Sequence, residues 1–243
     1  MAEDEIRKHT KAVINVAKEP GKSWVHKLKE ILIEIAIIVF AVYISIWLHN
    51  WSDSLKDREE EKEFLEGLKS DLQVDTLNLS NSEKFYEEEL AGINYFLTVA
   101  HGISLSEDSL TKYNFIFSAS TNLEANTSRY VGFKESAKFD IIQNKDLLNK
   151  IIELHEVIFT HVEVLNGIFN NYNATKTEPY AFQHLKLDKD FRIINATEVI
   201  NSSEMEFYLM LLHSLISTGI IPTHKAAITK CNAVIKEIED ELK

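Results

Sequence analysis

The chain has 243 residues, with 26 basic against 38 acidic side chains and a net charge of −12. Beyond residue 51 the balance is nineteen basic against thirty-two acidic, a surface that repels phosphate backbones and excludes nucleic acid as a partner. A single cysteine, Cys231, rules out an intramolecular disulfide and any cysteine metal cluster, while seven glycines and three prolines suit long helices.

Residues 3–18, EDEIRKHTKAVINVAK, set Ile6, Val13 and Ala17 on one side with Ile14 beside them. That pattern fits a short amphipathic helix lying on a membrane surface; a disordered tail is the competing reading. Pro20-Gly21 ends it. The stretch Ile31–Leu48, ILIEIAIIVFAVYISIWL, then runs for eighteen residues with one charge. At about 1.5 Å per residue it covers roughly 27 Å, close to the roughly 30 Å hydrocarbon core of a bilayer. Helix-compatible residues extend it from Leu28 to Trp51. Tyr43, Trp47 and Trp51 gather at one end and Trp24 precedes the other, as interfacial aromatic anchors do. A buried core helix is the alternative, opposed by the length, the paired aromatics and the charge step at both ends. A cleaved signal peptide fits worse, because the apolar run exceeds an h-region and no small-x-small site comes after it.

Five lysines (Lys11, Lys18, Lys22, Lys27, Lys29) precede the span within twenty residues, against Lys56, Arg58 and Lys62 after it. The positive-inside rule therefore expects residues 1–27 in the cytoplasm, a transmembrane helix over 28–51 and an extracytoplasmic domain over 52–243, periplasmic in a bacterium. Glu34, Ala41 and Ser45 lie seven and four residues apart and share one helical face, which Glu30 and His49 extend. In one reading this face is a helix–helix contact, with Ala41 and Ser45 allowing close approach and Glu34 turned to a bundle interior or an aqueous path. In the other, Glu34 lies about one turn inside the membrane and snorkels to the interface beside Lys27 and Lys29.

After the span, 52–63 (SDSLKDREEEKE) is helix-favouring with almost no apolar residue, and reads as a solvated stalk continuing the membrane helix. Apolar periodicity resumes at Phe64, Leu65, Leu68 and Leu72 and continues through Leu79, Tyr86, Leu90, Ile93 and Leu97 to a stop at Gly102. Ser106 caps a second, short helix, and 118–126 is a polar loop. Thr127 or Asn126 caps a third helix with Tyr130, Phe133 and Ala137 inward. Asn144 caps a fourth, with Leu148, Ile151, Ile152, His155, Ile158, Phe159 and Val162 inward, running to about Asn173; Pro179 kinks or ends the segment after it. Residues 186–202 alternate apolar and polar, leaving a short extended passage open. Ser202 or Ser203 with Glu206 forms a capping box for a helix carrying Phe207, Leu211, Leu212 and Leu215. Gly219 and Pro222 predict a turn or kink. The last helix places Ile228, Cys231, Ile235, Ile238 and Leu242 for packing against the stalk-proximal helix.

The run EILIEIAIIVFAVYISIWLHNWSD, with EEEKEFLEGLKSDLQVD after it, resembles an uncharacterised family of single-span inner-membrane proteins from Bacteroidota. That family pairs a "GEI…I.I…I…W" span with a "K…L..L..DL..D" helix. Glu34, Trp47, Trp51, Phe64, Leu65, Leu68, Asp71 and Leu72 stand at the matching places. SRYVGFKESAKFDIIQNKDLLNKI is similar to its "Y..L..SG.L..I.N..L…I" segment, with Lys138 where a glycine is usual. The resemblance implies a helical extracytoplasmic domain and no activity.

No phosphate loop, nucleophile elbow or kinase signature occurs, and catalytic carboxylates meeting from distant positions stay open. His155 and His161 are six residues apart, about 600° of helix, so they face apart and predict no metal site. The expectation is an all-α protein in which one N-terminal transmembrane helix continues into a long stalk helix and a helical bundle, with no cofactor. Its partners are the lipid bilayer, a second copy of itself and other membrane proteins. Its role is assembly or interaction through self-association of the Glu34–Ala41–Ser45 face. An ion-conducting oligomer lined by that face is the first alternative. A single-span ligand sensor is the second, lacking a second span and an output domain; an enzyme comes last.

Overall fold

Apolar residues at three- and four-residue spacing make one helix the axis of the fold. This is α1, Trp24–Ala100, which in the computed structural model is uninterrupted through the expected span, stalk and first bundle helix. The structure describes Arg7, Lys11 and residues 24–118, 120–121, 125–190 and 192–243. The amphipathic helix expected over 3–18 and its Pro20-Gly21 stop lie outside the described residues, as does Phe191. Internal contacts divide the chain into two units, Met1–Glu60 and Glu61–Lys243.

In the first unit α1 stands uncovered. Its apolar window has none of its residues buried, and Leu32, Ile35, Val39, Phe40 and Ile46 are all exposed. In the second unit the helix buries one side in strict heptad order: Leu65, Leu68, Leu72, Asp75, Leu79, Ser82, Tyr86, Glu89, Ile93 and Phe96 are all buried. The solvated stalk expected to end at residue 63 therefore ends earlier. Glu61 is buried because one carboxylate oxygen accepts the Gln143 backbone N–H at 2.7 Å. Gly102, at φ +98°, closes α1 as expected, with the Gly102 and Ile103 N–H groups donating to Val99 and Thr98 carbonyls.

The remaining helices are α2 (Glu107–Tyr113), α3 (Ser128–Glu135), α4 (Lys145–Glu153), α5 (Thr160–Tyr172), α6 (Glu178–His184), α7 (Ala196–Ile200), α8 (Ser203–Ser214) and α9 (Ile221–Glu241). No strand occurs among the described residues; the alternating segment after residue 186 gives one antiparallel bridge, Leu187 to Ile193. Helices α4–α6 run in the direction of α1, since Gln143 meets Glu61 and Asn166 meets Tyr86. Helix α9 runs against it, with Lys225 beside Glu83 and Lys69 beside Glu239. Alanine-sized space matters at Gly92: a Cβ there would come within 2.9 Å of Ile116 Cγ2 on the segment after α2.

Several local expectations change. Ser106 and Asn144 cap α2 and α4 as expected, accepting the Ser109 and Leu147 N–H groups. Asn126 instead gives both its backbone N–H and its amide to Asp75, so Thr127 starts α3 without a side-chain bond. Ala137 is not inward; it is exposed in the left-handed conformation, φ +54°, which turns the chain out of α3. Pro179 and Pro222 neither stop nor turn their helices. Each comes after a widened π segment, Asn173–Thr177 or Leu215–Ile220, whose altered hydrogen bonding accommodates a residue without an N–H. The capping box at α8 is half formed: Ser202 Oγ accepts the Met205 N–H, but Glu206 pairs with His101. Helix α8 buries Met205, Leu209 and Leu212 and leaves Phe207 and Leu211 exposed, because apolar residues lie on both of its faces. In α9 the innermost residues are His224, Ala227, Cys231, Val234 and Ile238, with Ile228, Ile235 and Leu242 on the flank.

Two clusters fill the second unit, one around Leu72, Ile151 and Cys231 and one around Tyr86, Phe169 and Ile216. Leu72→Ala, at a fully buried heptad position, is expected to lower unfolding free energy by about 2–5 kcal/mol in urea titrations. Leu77→Ala, at a site 61% exposed one turn later, is expected to change it by less than about 0.5 kcal/mol.

Candidate functional site

Two features of α1 carry functional information, and each belongs to a different unit. The first is the apolar surface over 31–48. Twelve of its large apolar side chains are exposed, and they lie all round the helix. At about 1 kcal/mol or more each for leaving such a side chain in water, exposure would cost on the order of 10 kcal/mol. A helix apolar on every side requires a cover on every side. Helix Ser203–Glu241 also has a window long and apolar enough to cross a membrane, but a third of that window is buried against the bundle, as befits a core helix.

Glu34, Ala41 and Ser45 fall on one face of α1, as their spacing requires. The Ser45 hydroxyl donates to the Ala41 carbonyl at 2.8 Å, so its polarity is satisfied inside its own helix and the pair presents a small, flat surface. Between Glu34 and Ser45 the sole polar side chain is Tyr43. Tyr43, Trp47 and Trp51 line up at four-residue spacing about 180° to 260° round the helix from that face. All three are exposed, and Trp47 and Trp51 lie parallel with centroids 6.3 Å apart. Trp24, at the other end, is exposed as well. One side of the segment is thus small and smooth, and the opposite side carries the aromatics.

The second feature is a column of polar residues inside the bundle. In the heptad register of α1, one column reads Leu65, Leu72, Leu79, Tyr86, Ile93, and the other reads Leu68, Asp75, Ser82, Glu89, Phe96. Asp75 is held by Asn126, and burial raises its carboxyl above the ordinary range against the pull of those two bonds. Tyr86 donates to Asn166 Oδ1 at 2.8 Å and packs its ring against Phe169 and the buried His224, whose Nδ1 meets the Ile220 carbonyl at 3.0 Å. His155, in the π segment Leu154–Phe159, stacks flat on Tyr130 at 4.2 Å. Tyr86 and His155 fall on the apolar stripes read from the sequence, whereas Asp75, Ser82, Glu89 and Asn166 escape a reading made for apolar spacing alone. The signal that finds Glu89 is its register, seven residues from Ser82 and from Phe96.

Among the described residues no group of three histidine, cysteine, aspartate or glutamate side chains could hold a metal ion. His161 is exposed while His155 is buried, on different faces of their helix. A shallow cleft of about 340 Å³ lies where Leu105, Leu110 and Ile193 meet Asp188 and Arg192, and one of about 280 Å³ lies among Leu97, His101, Met210 and His213.

His155 sets an acid limit to stability. Burial pushes its pKa down to about 4, against an unfolded value near 6.5. The His155 contribution to stability is full above about pH 6.5 and is lost as pH falls from there towards 4, because the unfolded chain takes up a proton that the folded one refuses. The shift corresponds to at most about 3 kcal/mol. His155→Phe, which keeps the stack on Tyr130, is expected to flatten the acid limb of stability against pH, measured by urea unfolding.

No curated protein and no solved structure matches the chain. A family model does, over residues 34–213, which takes in the apolar segment from Glu34, both heptad columns of α1 and the bundle into α8. Since that match covers well over half of the 243 residues, the protein belongs to the family of unknown function DUF6090.

Proposed function

We propose that the protein is a membrane-anchored helical scaffold acting in assembly or interaction, with residues 28–51 crossing the bilayer and 52–243 outside the cytoplasm. The observation that carries this is the unburied apolar window of α1, all-round in character, about 27 Å long over eighteen residues and flanked by Trp24 and Trp51. The lysine excess before the span supports a cytoplasmic N-terminus, and the resemblance to single-span proteins of Bacteroidota supports an inner membrane with the bundle in the periplasm.

The Glu34–Ala41–Ser45 face is the self-association surface in this proposal. Small residues let backbones approach, and the Ser45–Ala41 bond leaves no hydroxyl needing a partner across the contact. A conducting pore draws less support from the same geometry, because the apolar stretch between Glu34 and Ser45 offers no continuous polar lining. No catalytic role is proposed.

The test combines extraction and mass. The full chain is expected to stay with membranes through an alkaline carbonate wash, while residues 61–243 are released. In detergent, light scattering is expected to give an oligomer for wild type and a smaller particle for Ala41→Leu. Release of the full chain would remove the anchor, and equal masses for wild type and Ala41→Leu would remove the association face.

A further inference from the structure

Glu89 lies in the interior of the second unit with no exposed surface, and among the described residues neither of its carboxyl oxygens has a hydrogen-bond partner. A buried carboxylate without a partner is among the costliest groups a fold can hold. A buried carboxylic acid is far cheaper, since the proton cancels the charge.

The surroundings supply no countercharge. Tyr86, one turn before Glu89 on α1 and close enough to feel its charge, meets Asn166 and Phe169 from α5 and His224 from α9. Asn166 is neutral and already accepts from Tyr86. His224 is itself driven towards its neutral form by burial, and its Nδ1 is at the Ile220 carbonyl. On α9, Lys225, next to His224 in sequence, is at the surface with Glu83 and Glu87. At the end of α5 the Tyr172 hydroxyl is buried too, and burial raises its pKa above the ordinary value. Tyr208 on α8 is bonded to Glu204. Burial alone sets the state of Glu89, and it pushes the pKa up to about 8.

We propose that the bundle interior contains a proton-binding site, the Glu89 carboxyl, which is filled in the folded state near neutral pH and whose emptying in mildly alkaline conditions loosens the packing of α1 against α5 and α9. The direction comes from linkage. The unfolded chain loses this proton near the ordinary carboxyl value of about 4.5, and the folded chain keeps it to about 8. Above the unfolded value the folded state binds more protons, so stability falls as pH rises, until the folded carboxyl has ionised too. His155 and His224 act on the opposite limb and lower stability as pH falls.

The experiment uses the full chain in detergent micelles and measures the folding equilibrium of wild type and Glu89→Gln by urea unfolding across the pH range. The ratio of the variant's folding constant to that of wild type cancels the histidines. It is expected to grow by about two orders of magnitude between about pH 5 and about pH 8, since each unit of pKa difference is tenfold. A ratio that stays within about twofold overturns the proposal. Should Glu89→Gln fail to fold, infrared spectroscopy of wild type decides without it. A protonated-carboxyl carbonyl band is expected near neutral pH, bleaching towards about pH 9 and persisting in Asp75→Asn. Absence of that band near neutrality, or its loss in Asp75→Asn, overturns the proposal.

Discussion

The constraint on which the structure depends is that one uninterrupted helix must be covered in two different ways. From Glu61 onward α1 carries a heptad stripe that packs into the bundle, with flanking residues such as Phe64 and Tyr95 meeting Phe133 and Tyr113. Before Glu60 the apolar residues have no such stripe; they occupy every side. A protein bundle can cover a stripe. An all-round apolar cylinder with aromatic ends is matched instead by the hydrocarbon of a bilayer. The division of the chain at Glu60 and Glu61 is the point where the pattern changes, and Glu61 marks it by turning its carboxylate to the Gln143 N–H.

Within the bundle, polarity is distributed with similar economy. The column Leu68, Asp75, Ser82, Glu89, Phe96 interrupts an apolar seam at three successive heptads. Asp75 meets a defined partner in Asn126, and the Tyr86 hydroxyl meets Asn166 on α5. Such partners fix which residues face each other along otherwise interchangeable leucine and isoleucine layers, as a buried polar residue does in a coiled coil. Glu89 is different, because its partner is a proton. The same interior thus specifies register at one level and responds to pH at the other. Cys231, beside Thr76 in this interior, has its thiol pushed up to about 12 by burial, which keeps it inert.

Much of the helical architecture was legible in the sequence, and for physical reasons. The heptad from Phe64 to Leu97, the Ser106 and Asn144 caps, the stop at Gly102 and the packing of the last helix against α1 all rest on local rules that the tertiary structure had no cause to override. The failures have causes as specific. Helix α8 is apolar on two faces, so spacing alone did not tell Phe207 and Leu211 from Leu209 and Leu212. Pro179 and Pro222 signalled a kink or a stop, and the helix continues through both because π segments ahead of them absorb the missing N–H groups, which apolar spacing does not encode. Glu89 stands in a run of three consecutive glutamates, and only its register, seven residues from Ser82 and from Phe96, marks it as inward. Of the proposed association face, the spacing of Glu34, Ala41 and Ser45 was plain, and the Ser45–Ala41 bond was the detail only geometry supplied.

The protein's three tryptophans, Trp24, Trp47 and Trp51, all lie at the ends of the apolar segment, so intrinsic fluorescence reports on that segment alone. The most direct test of the account is therefore tryptophan quenching in phospholipid vesicles carrying bromine at shallow or deep acyl positions, with aqueous acrylamide as the counterpart. A bilayer-spanning segment predicts strong quenching by shallow bromolipids, weaker quenching by deep ones and little by acrylamide. Quenching by acrylamide with none from either lipid would mean that protein or water, and not a bilayer, covers this helix.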